Sequence, residues 1–456
     1  MSQLEDVFRY VDQRRDELLG RLIAYASQPS VSATGEGVAE AAQLARRALE
    51  GAGLRARVLE TGGSPVVLGT GPQVPGRLTV LVYGHYDVQP PDPVEAWKTP
   101  PFQPTLRDGR LYGRGTGDNK GQHLAQILGM EALRACNGEL PCNVKVLLDG
   151  EEEVGSPNLP AFVDRHREEL AADLAIWSDG PVHESGRWCI AFGVRGVVTF
   201  ELRARGANRP LHSGNWGGVA PNPLWTLVHL LASMKDERGH ITVEGLHDGV
   251  RPLGPREVEV IEGLPVDLGR VMAGLGLEHL DEPAERGFYE RLVAWPTFTI
   301  NGLHGGYGGP GSQTILPNEA VAKCDVRLVP DQRAADVLAV IRAHVQRHAP
   351  DVELLPGGSM EPSRTPVDSP YTEPIRRAMA EALGEEPLLV PPLGGSLPIS
   401  VFTRLLGLPT FGVPFANVDQ TNHAPNENLE VERFFAGIKT AASVLAHLGV
   451  MSRSAQ

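Results

Sequence analysis

The sequence predicts an α/β fold in which a mostly parallel sheet is flanked by helices and interrupted by an inserted α+β two-layer sandwich domain. Over the first half of the chain, short apolar β-branched segments alternate with segments of helical periodicity. The strand-like segments are apolar on both faces, as buried parallel strands are. From about residue 193 the strands alternate polar and apolar residues instead. A chain of 456 residues is also long for one core, so two domains are expected.

The composition excludes several classes of function. The formal net charge of -14 disfavours nucleic acid or an anionic membrane as a partner. The four cysteines have no C-x-x-C spacing and are too few for a disulfide framework, so a reducing cytoplasm is the simplest location. The first residues lack the features of a signal peptide, and no window has the roughly 20 apolar residues that a membrane helix needs. A cytoplasmic protein is therefore expected.

Two amphipathic helices are predicted before the first buried strand, one through about Ala26 and one after Ser32. The strand begins at Leu78 and ends at His85 and Asp87. In an open α/β sheet, ligands bind at the carboxyl ends of the strands. The sequence therefore places an imidazole and a carboxylate where chemistry usually occurs.

A glycine-rich segment follows, from Leu111 to Gly121. Its spacing differs from the G-x-x-x-x-G-K-[ST] pattern of phosphate-binding loops, so phosphate binding is disfavoured. A helix is predicted next, which places Asp118 at the helix entrance. Asp118 then has two interpretations, as a cap of that helix or as a ligand of a cation.

Further strands also lead to acidic residues or histidine. One leads to Glu151, Glu152 and Glu153, the next leads to Asp179, and a much later one leads to His423. An acidic run near a helix start is most simply a solvated face that the helix dipole favours. That interpretation does not explain why such groups recur at successive strand ends.

Together, the strand-end groups suit a pair of divalent cations. They are His85, Asp87, Asp118, Glu152, Glu153, Asp179 and His423. Zinc accepts nitrogen and oxygen ligands, and a bridging carboxylate can hold two ions about 3.5–4 Å apart. A carboxylate that is not a metal ligand can act as general base for a bound water. These groups predict a metal site, and a non-catalytic metal-binding protein stays open beside an enzyme.

Six motifs resemble, in order and approximate spacing, the di-zinc metallopeptidase family of carnosinase, aminoacylase and succinyl-diaminopimelate desuccinylase. They are Gly84-His-Tyr-Asp87, Gly117-Asp-Asn-Lys-Gly121, Glu151-Glu-Glu-Val-Gly-Ser156, Ser178-Asp-Gly180, Leu211-His-Ser-Gly214 and Asn422-His423. The resemblance covers nearly the whole chain and is closest to the cytosolic non-specific dipeptidase and carnosinase branch. It implies a zinc-exopeptidase-like catalytic domain formed by residues 1–192 and 369–456, and a lid and dimerisation domain at 193–368.

The resemblance also implies a role for each strand-end residue. Two Zn or Mn ions would be bound by His85 and Asp179 on one side and by Glu153 and His423 on the other, with Asp118 bridging. Glu152 would be the general base for a metal-bridging water, and Asp87 would orient His85. A one-residue slip along the three glutamates would exchange base and ligand. The peptide bond after Asp118 is expected to be cis.

In the inserted domain, the resemblance implies residues that bind substrate. His212 would contact the substrate carbonyl of the partner subunit in a homodimer and stabilise the oxyanion. Arg327 and Ser396 would bind the free carboxylate of the substrate. Without the resemblance, these three residues would be interpreted as an exposed loop histidine, a solvated strand residue and part of an ordinary turn.

The predicted function is hydrolysis of the amide bond of dipeptides or short peptides that have a free C-terminal carboxylate. The alternative is deacylation or desuccinylation of N-acyl amino acids, because the same metal site can cleave either amide and only the pocket walls discriminate. The native metal and the side-chain preference stay open. Within the insertion at residues 235–300, one helix is predicted, from about Pro283 to Leu292.

Overall fold

A computed structural model describes residues 2–281 and 287–451. Its helices are α1 (Ser2–Gln13), α2 (Arg15–Ala26), α3 (Val38–Gly51), α4 (Lys120–Asn137), α5 (Leu159–Arg165), α6 (Arg167–Leu170), α7 (Ser213–Trp216), α8 (Pro223–Met234), α9 (Pro255–Glu262), α10 (Leu268–Leu275), α11 (Phe288–Val293), α12 (Ala334–His348), α13 (Thr372–Leu383) and α14 (Val431–Gly449). Among the residues described, no helix combines the length and apolar character needed to cross a membrane.

The strands alternate with these helices along the chain. They are β1 (Arg55–Leu59), β2 (Val66–Thr70), β3 (Thr79–His85), β4 (Thr105–Arg107), β5 (Arg110–Tyr112), β6 (Asn143–Asp149), β7 (Leu174–Trp177), β8 (Cys189–Ala191), β9 (Gly193–Val194), β10 (Gly196–Arg205), β11 (Leu211–His212), β12 (Thr297–Gly305), β13 (Ile315–Leu316), β14 (Glu319–Leu328), β15 (Glu353–Met360), β16 (Ser363–Arg364), β17 (Leu388–Val390), β18 (Thr410–Gly412) and β19 (Asn428–Glu430).

The chain forms two compact units. The described part of the first comprises residues 2–193, 364–391 and 398–451, and the second comprises the described residues of 194–363 together with 392–397. The short segment 392–397 was expected in the catalytic part. It groups with the second unit, where Arg195 Nε donates to the Gly394 carbonyl at 2.9 Å. The division into folding domains stays a prediction, because compact units need not fold independently.

The first unit is built on an eight-stranded sheet with the order β1-β2-β6-β3-β7-β18-β8-β17. Its central strands β6, β3, β7 and β18 are parallel, and antiparallel pairing begins beyond them. Every residue of β3, β6 and β7 is buried, as the apolar sequence of these strands predicts. The carboxyl ends of the parallel strands therefore meet at one edge of the sheet, and the predicted α/β architecture is confirmed.

Helices cover this sheet and fix the entrance of α4. Helix α4 packs against β3 and against the long C-terminal helix α14. It is buried over most of its length because it lies between sheet and helix. The N-terminal helix that was predicted to be continuous through Ala26 is interrupted at Arg14, whose backbone (φ -116°, ψ 19°) leaves the helical conformation.

The segment after β6 differs from its predicted start. The acidic run was expected near a helix start, but α5 begins only at Leu159, after a 3₁₀ turn over Glu152–Val154. The Ser156 hydroxyl instead donates to Asp149 Oδ2 at 2.6 Å, so it is not available as a cap. The glutamates therefore lie in a tight turn rather than in the first turn of a helix.

The second unit is a two-layer sandwich, as predicted. Its antiparallel sheet has the order β12-β14-β10-β15, and buried residues alternate along β10 and β14. Helix α8 contacts both of these strands, and helix α12 contacts β10 and β15. The core between the layers includes Phe200, Leu202, Leu227, Val326 and Ile341. One polar face per strand is what this arrangement requires.

The insertion in the second unit carries the short helices α9, α10 and α11. The helix predicted from about residue 283 corresponds in part to α11, which begins at Phe288. Residues 283–286 of that prediction lie outside the described residues.

Candidate metal centre and active site

The predicted site residues of the first unit follow the parallel strands. β3 ends at His85, and Asp179 comes two residues after the end of β7. The turn that carries Glu152 and Glu153 begins three residues after β6 ends at Asp149. Because these strands share one direction, their polar ends lie on the same edge of the sheet.

A first group of metal-ligating atoms comprises His85, Asp118 and Asp179. His85 Nε2 lies 3.1 Å from Asp118 Oδ1 and 3.3 Å from Asp179 Oδ2. All three side chains are buried, and one ligand atom from each lies within 4.8 Å of the others. This group has the donor types and the convergence that a divalent cation needs.

A second group comprises Asp118, Glu153 and His423. His423 Nε2 lies 3.2 Å from Asp118 Oδ2 and 3.1 Å from Glu153 Oε2. Asp118 thus directs Oδ1 to the first group and Oδ2 to the second. A carboxylate shared in this way is the arrangement that bridges two ions.

The residues of both groups fit divalent cations. Asp179 Oδ2 is buried, and its one close polar contact among the described residues is His85 Nε2 at 3.3 Å. Three carboxylates, those of Asp118, Glu153 and Asp179, converge where little water can screen their repulsion. Imidazole and carboxylate donors suit zinc and also manganese. Bound cations would neutralise these carboxylates.

The electrostatics of the groups show how strongly their members interact. Hydrogen bonds with Asp118 and then Glu153 raise the pKa of His423 to about 10. Burial, and next the charge of Asp118, raise the pKa of Glu153 to about 7. Burial opposes ionisation of Asp118, but hydrogen bonds from His423 and His85 outweigh it and hold its pKa well below the usual range. The imidazoles therefore supply the positive charge that cations would otherwise provide.

Asp87 contacts His85 and the glutamate turn together. Its Oδ1 lies 3.2 Å from His85 Nδ1, and its backbone carbonyl lies 3.1 Å from the same nitrogen. A proton on Nδ1 leaves the Nε2 lone pair for a metal. The carboxylate also accepts from the backbone amides of Glu152 at 3.2 Å and Glu153 at 3.0 Å. This second set of contacts was not anticipated from the sequence.

The three consecutive glutamates occupy different environments. Glu151 accepts from the Ser64 amide at 2.8 Å and from the Asn158 side chain, away from both donor groups. Glu153 contributes an oxygen to the second group. Glu152 is buried but belongs to neither group, and burial followed by the neighbouring carboxylates Asp179 and Glu153 raises its pKa well above the ordinary value. A carboxyl group of raised pKa suits proton transfer.

The interpretation of Asp118 as a helix cap is wrong. The cap residue of α4 is Asn119, and no side chain caps the helix. Asp118 Oδ2 instead accepts from Asn422 Nδ2 at 3.1 Å, in addition to its contacts with the histidines. The peptide bond between Asp118 and Asn119 is cis, as expected.

Two buried charged residues near the predicted sites were missed. Glu427 is fully buried and accepts hydrogen bonds from the loop that carries Asp118. Arg195 of the second unit is 7% exposed. Neither has a sequence signal: Glu427 lies in a polar loop, and Arg195 is a single cation between apolar residues and glycine. Only tertiary packing distinguishes them from solvated residues.

The predicted carboxylate-binding residues of the second unit are neighbours. Arg327 Nη1 donates to Ser396 Oγ at 2.9 Å. Arg195 is anchored by its Nε to the same loop, at Gly394, while its Nη1 is buried without a hydrogen-bond partner among the residues described. Burial, and next the charge of Arg327, lower the pKa of Arg195 to about 10. Two guanidinium groups beside a hydroxyl form an environment that suits an anion.

His212 is exposed at the end of β11 and belongs to neither donor group. Its Nδ1 accepts from the Gly214 amide at 3.0 Å. The neutral ring therefore carries its proton on Nε2, which remains available as a donor. This tautomer is the one that a role in oxyanion stabilisation requires.

Comparisons with known proteins point in the same direction. Residues 81–447 match the family model described as peptidase family M20/M25/M40. A human β-Ala-His dipeptidase is 29% identical, with 96% of this chain and 92% of the relative covered. A Cys-Gly metallodipeptidase of Schizosaccharomyces pombe is 27% identical, with 98% and 99% covered. The crystal structure of an M20 family metallo-carboxypeptidase from Sulfolobus solfataricus is 34% identical, with 95% of this chain and 100% of that chain covered and a TM-score of 0.89.

Proposed function

The chain belongs to peptidase family M20/M25/M40, and we propose that it is a metal-dependent dipeptidase that hydrolyses dipeptides or short peptides with a free C-terminal carboxylate. The observation that carries this proposal is the pair of donor groups that share Asp118. The relatives support the length of the substrate. Each relative is named for a substrate of two residues, β-Ala-His in one case and Cys-Gly in the other, and these two dipeptides differ in their side chains.

The proposed metal ligands are the five members of the two donor groups, His85, Asp118, Glu153, Asp179 and His423. Two divalent cations, Zn or Mn, would polarise the scissile carbonyl and favour ionisation of water at this site. The residue that moves the proton is Glu152. It accepts a proton from the attacking water and returns it to the nitrogen of the leaving amine.

Asp87 serves both halves of this arrangement. Its contact with His85 Nδ1 supports a fixed ring orientation, since a second-shell carboxylate selects the tautomer of a ligating imidazole. Its contacts with the amides of Glu152 and Glu153 support a fixed position for base and ligand. We infer that Asp87 fixes the position of the general base Glu152 relative to the metal ligands His85 and Glu153.

The second unit supplies substrate recognition in this proposal. Arg327 and Ser396 bind the substrate carboxylate, and Arg195 adds a second positive charge beside them. A guanidinium binds a carboxylate through two parallel hydrogen bonds, which selects a free C-terminus over an amide. His212 donates from Nε2 to the substrate carbonyl oxygen in the partner subunit, where negative charge develops.

A homodimer is part of the proposal because His212 is assigned to the partner's site. Strand β12 is an edge strand of its sheet and exposes Ile300 and Leu303. Both residues line one groove with Val228 of α8, and Trp225 of the same helix is 61% exposed. Edge strands and exposed apolar surfaces of this kind are typical of protein interfaces.

The free state of all four cysteines supports a cytoplasmic location.

An activity screen tests the proposed function. Metal-free protein would be reloaded with Zn²⁺ or Mn²⁺ and assayed on dipeptides including β-Ala-His and Cys-Gly, on tripeptides, on dipeptide amides and on N-acyl amino acids. We expect metal-dependent cleavage of free dipeptides and slower cleavage of the amides. Faster cleavage of N-acetyl or N-succinyl amino acids would establish the deacylase alternative. No hydrolysis by the loaded protein would contradict the proposal.

A further inference from the structure

The Glu427 side chain makes an unusually complete set of contacts for a loop residue. It is fully buried. Its Oε1 accepts from the backbone amides of Gly117 at 2.9 Å and Asp118 at 3.0 Å. Its Oε2 accepts from Arg114 Nη1 at 2.8 Å and from the Gly115 amide at 3.0 Å. Every partner is a donor, so both oxygens act as acceptors of a carboxylate.

Strand pairing brings Glu427 to this position. β19 follows it directly and pairs with β5, with Asn428 opposite Tyr112. The Gly113 amide donates to the Glu427 carbonyl at 2.9 Å and extends the pairing by one residue. The side chain thereby faces the loop at residues 113–118, which continues from β5. Main chain and side chain of one residue thus hold the same loop.

Glu427 also belongs to the loop that carries His423. The Asn428 amide donates to the Gln420 carbonyl at 2.9 Å and closes this loop at its base. Gln420 lies so close to Gly117 that a Cβ on Gly117 would meet its side-chain oxygen at 2.3 Å. The loop of His423 and the loop of Asp118 are therefore packed together, with Glu427 between them.

We propose that Glu427 is a positioning residue that fixes Asp118 and His423 relative to one another, so that both donor groups are formed before the cations bind. The inference rests on the proposed function only in taking Asp118 and His423 as metal ligands. Asp118 is common to both groups, so a displaced backbone at this residue would affect both cations. Without Glu427, the buried amides of Gly115, Gly117 and Asp118 would lose their acceptor. Metal binding would then have to order the loop at residues 113–118, and this free-energy cost would lower the metal affinity.

Glu427→Asp tests this inference because it keeps the charge next to Arg114 but shortens the side chain by one methylene. The two carboxylate oxygens can then no longer reach the Gly117 and Asp118 amides while also contacting Arg114 and the Gly115 amide. Loss of a group that supports metal ligands typically lowers metal affinity about 10- to 100-fold. We expect a loss of this size for Zn²⁺, measured by competition with a chelator, together with an altered visible spectrum of the Co²⁺-loaded protein.

Glu430→Asp is the matched control. Glu430 lies three residues further on and binds Arg110 at 2.9 Å and Arg433 at 2.8 Å. Within the part of the chain that the structure describes, its side chain makes no hydrogen bond to the loop of Asp118. Its Zn²⁺ affinity and Co²⁺ spectrum should equal those of wild type. Wild-type Zn²⁺ affinity in Glu427→Asp, in protein that folds in EDTA, would overturn the inference. A wild-type protein that binds no divalent cation would overturn the proposed function as well.

Amide hydrogen exchange of the metal-free wild type decides the question if Glu427→Asp does not fold. The amides of Gly115, Gly117 and Asp118 donate to Glu427. We expect them to exchange slowly in EDTA, as measured by mass spectrometry of peptides that cover residues 113–118. Fast exchange in EDTA that becomes slow only after Zn²⁺ addition would overturn the inference, because the cations would then organise the loop.

Discussion

The residues proposed for catalysis and those proposed for recognition differ in how the protein holds them. In the first unit, His85, Asp118 and Asp179 are buried, and other loops position the backbone around them. In the second unit, His212 is exposed and Arg327 retains 34% of its side-chain exposure. Electrostatic catalysis gains from fixed, desolvated groups, whereas a carboxylate-binding residue must be accessible to substrate. The exceptions are the proposed ligand His423, whose side chain is 54% exposed, and Arg195, which is 7% exposed. Substitutions in the two regions should therefore change different kinetic constants.

The largest effect is expected for Glu152→Ala. General acid and base catalysis contributes about 10²- to 10⁴-fold, so kcat should fall by that factor while metal content, measured by elemental analysis, stays at the wild-type value. Glu151→Gln is the control within the same acidic run, because Glu151 is hydrogen-bonded to Ser64 and Asn158. It should retain turnover. Normal turnover of Glu152→Ala, or the reverse order of the two variants, would show that the base is misassigned.

His212→Ala should have the next largest effect, since removal of one oxyanion donor costs about 10²- to 10³-fold in kcat. Mixing this variant with inactive Asp118→Ala should restore part of the activity. In the heterodimer, the subunit with intact ligands receives His212 from its partner. Absence of recovery in heterodimers that are shown to have formed would mean that the histidine does not act across an interface.

Arg327→Met should have a smaller effect, mainly on KM. A hydrogen bond to a charged group contributes about 1.5–3 kcal/mol, which corresponds to roughly 10- to 100-fold in kcat/KM. The preference for free dipeptides over dipeptide amides should shrink by the same factor. Arg203→Met is the control, because Arg203 lies in the same sheet with a similar exposure of 30% and only distant ion pairs. An unchanged acid-to-amide preference in Arg327→Met would place carboxylate recognition elsewhere.

The same contrast explains which parts could be predicted from the sequence. His85 and Asp179 follow buried strands, and parallel strands end at a common edge, so their proximity follows from general rules of α/β sheets. Asp118 could not be assigned in this way, because a carboxylate at a helix entrance suits a cap equally well. The contacts that decide its role come from Asn422 and His423, about 300 residues later.

The recognition residues and the supporting residues were harder to predict, for two physical reasons. Arg327 and Ser396 are part-exposed, as many surface arginines and serines are. What distinguishes them is the hydrogen bond between their side chains, which joins residues that are distant in the sequence. Glu427 has the opposite problem, since a glutamate in a polar loop normally faces water. Its burial depends on the pairing of β19 with β5, which sequence periodicity does not reveal.

The most direct test of the central claim is anomalous X-ray diffraction from crystals of the zinc-loaded protein. We predict two zinc peaks on either side of the Asp118 carboxylate, one beside His85 and Asp179 and the other beside Glu153 and His423. A single peak, or two peaks that do not share Asp118, would contradict the assignment of the two donor groups as one di-metal centre.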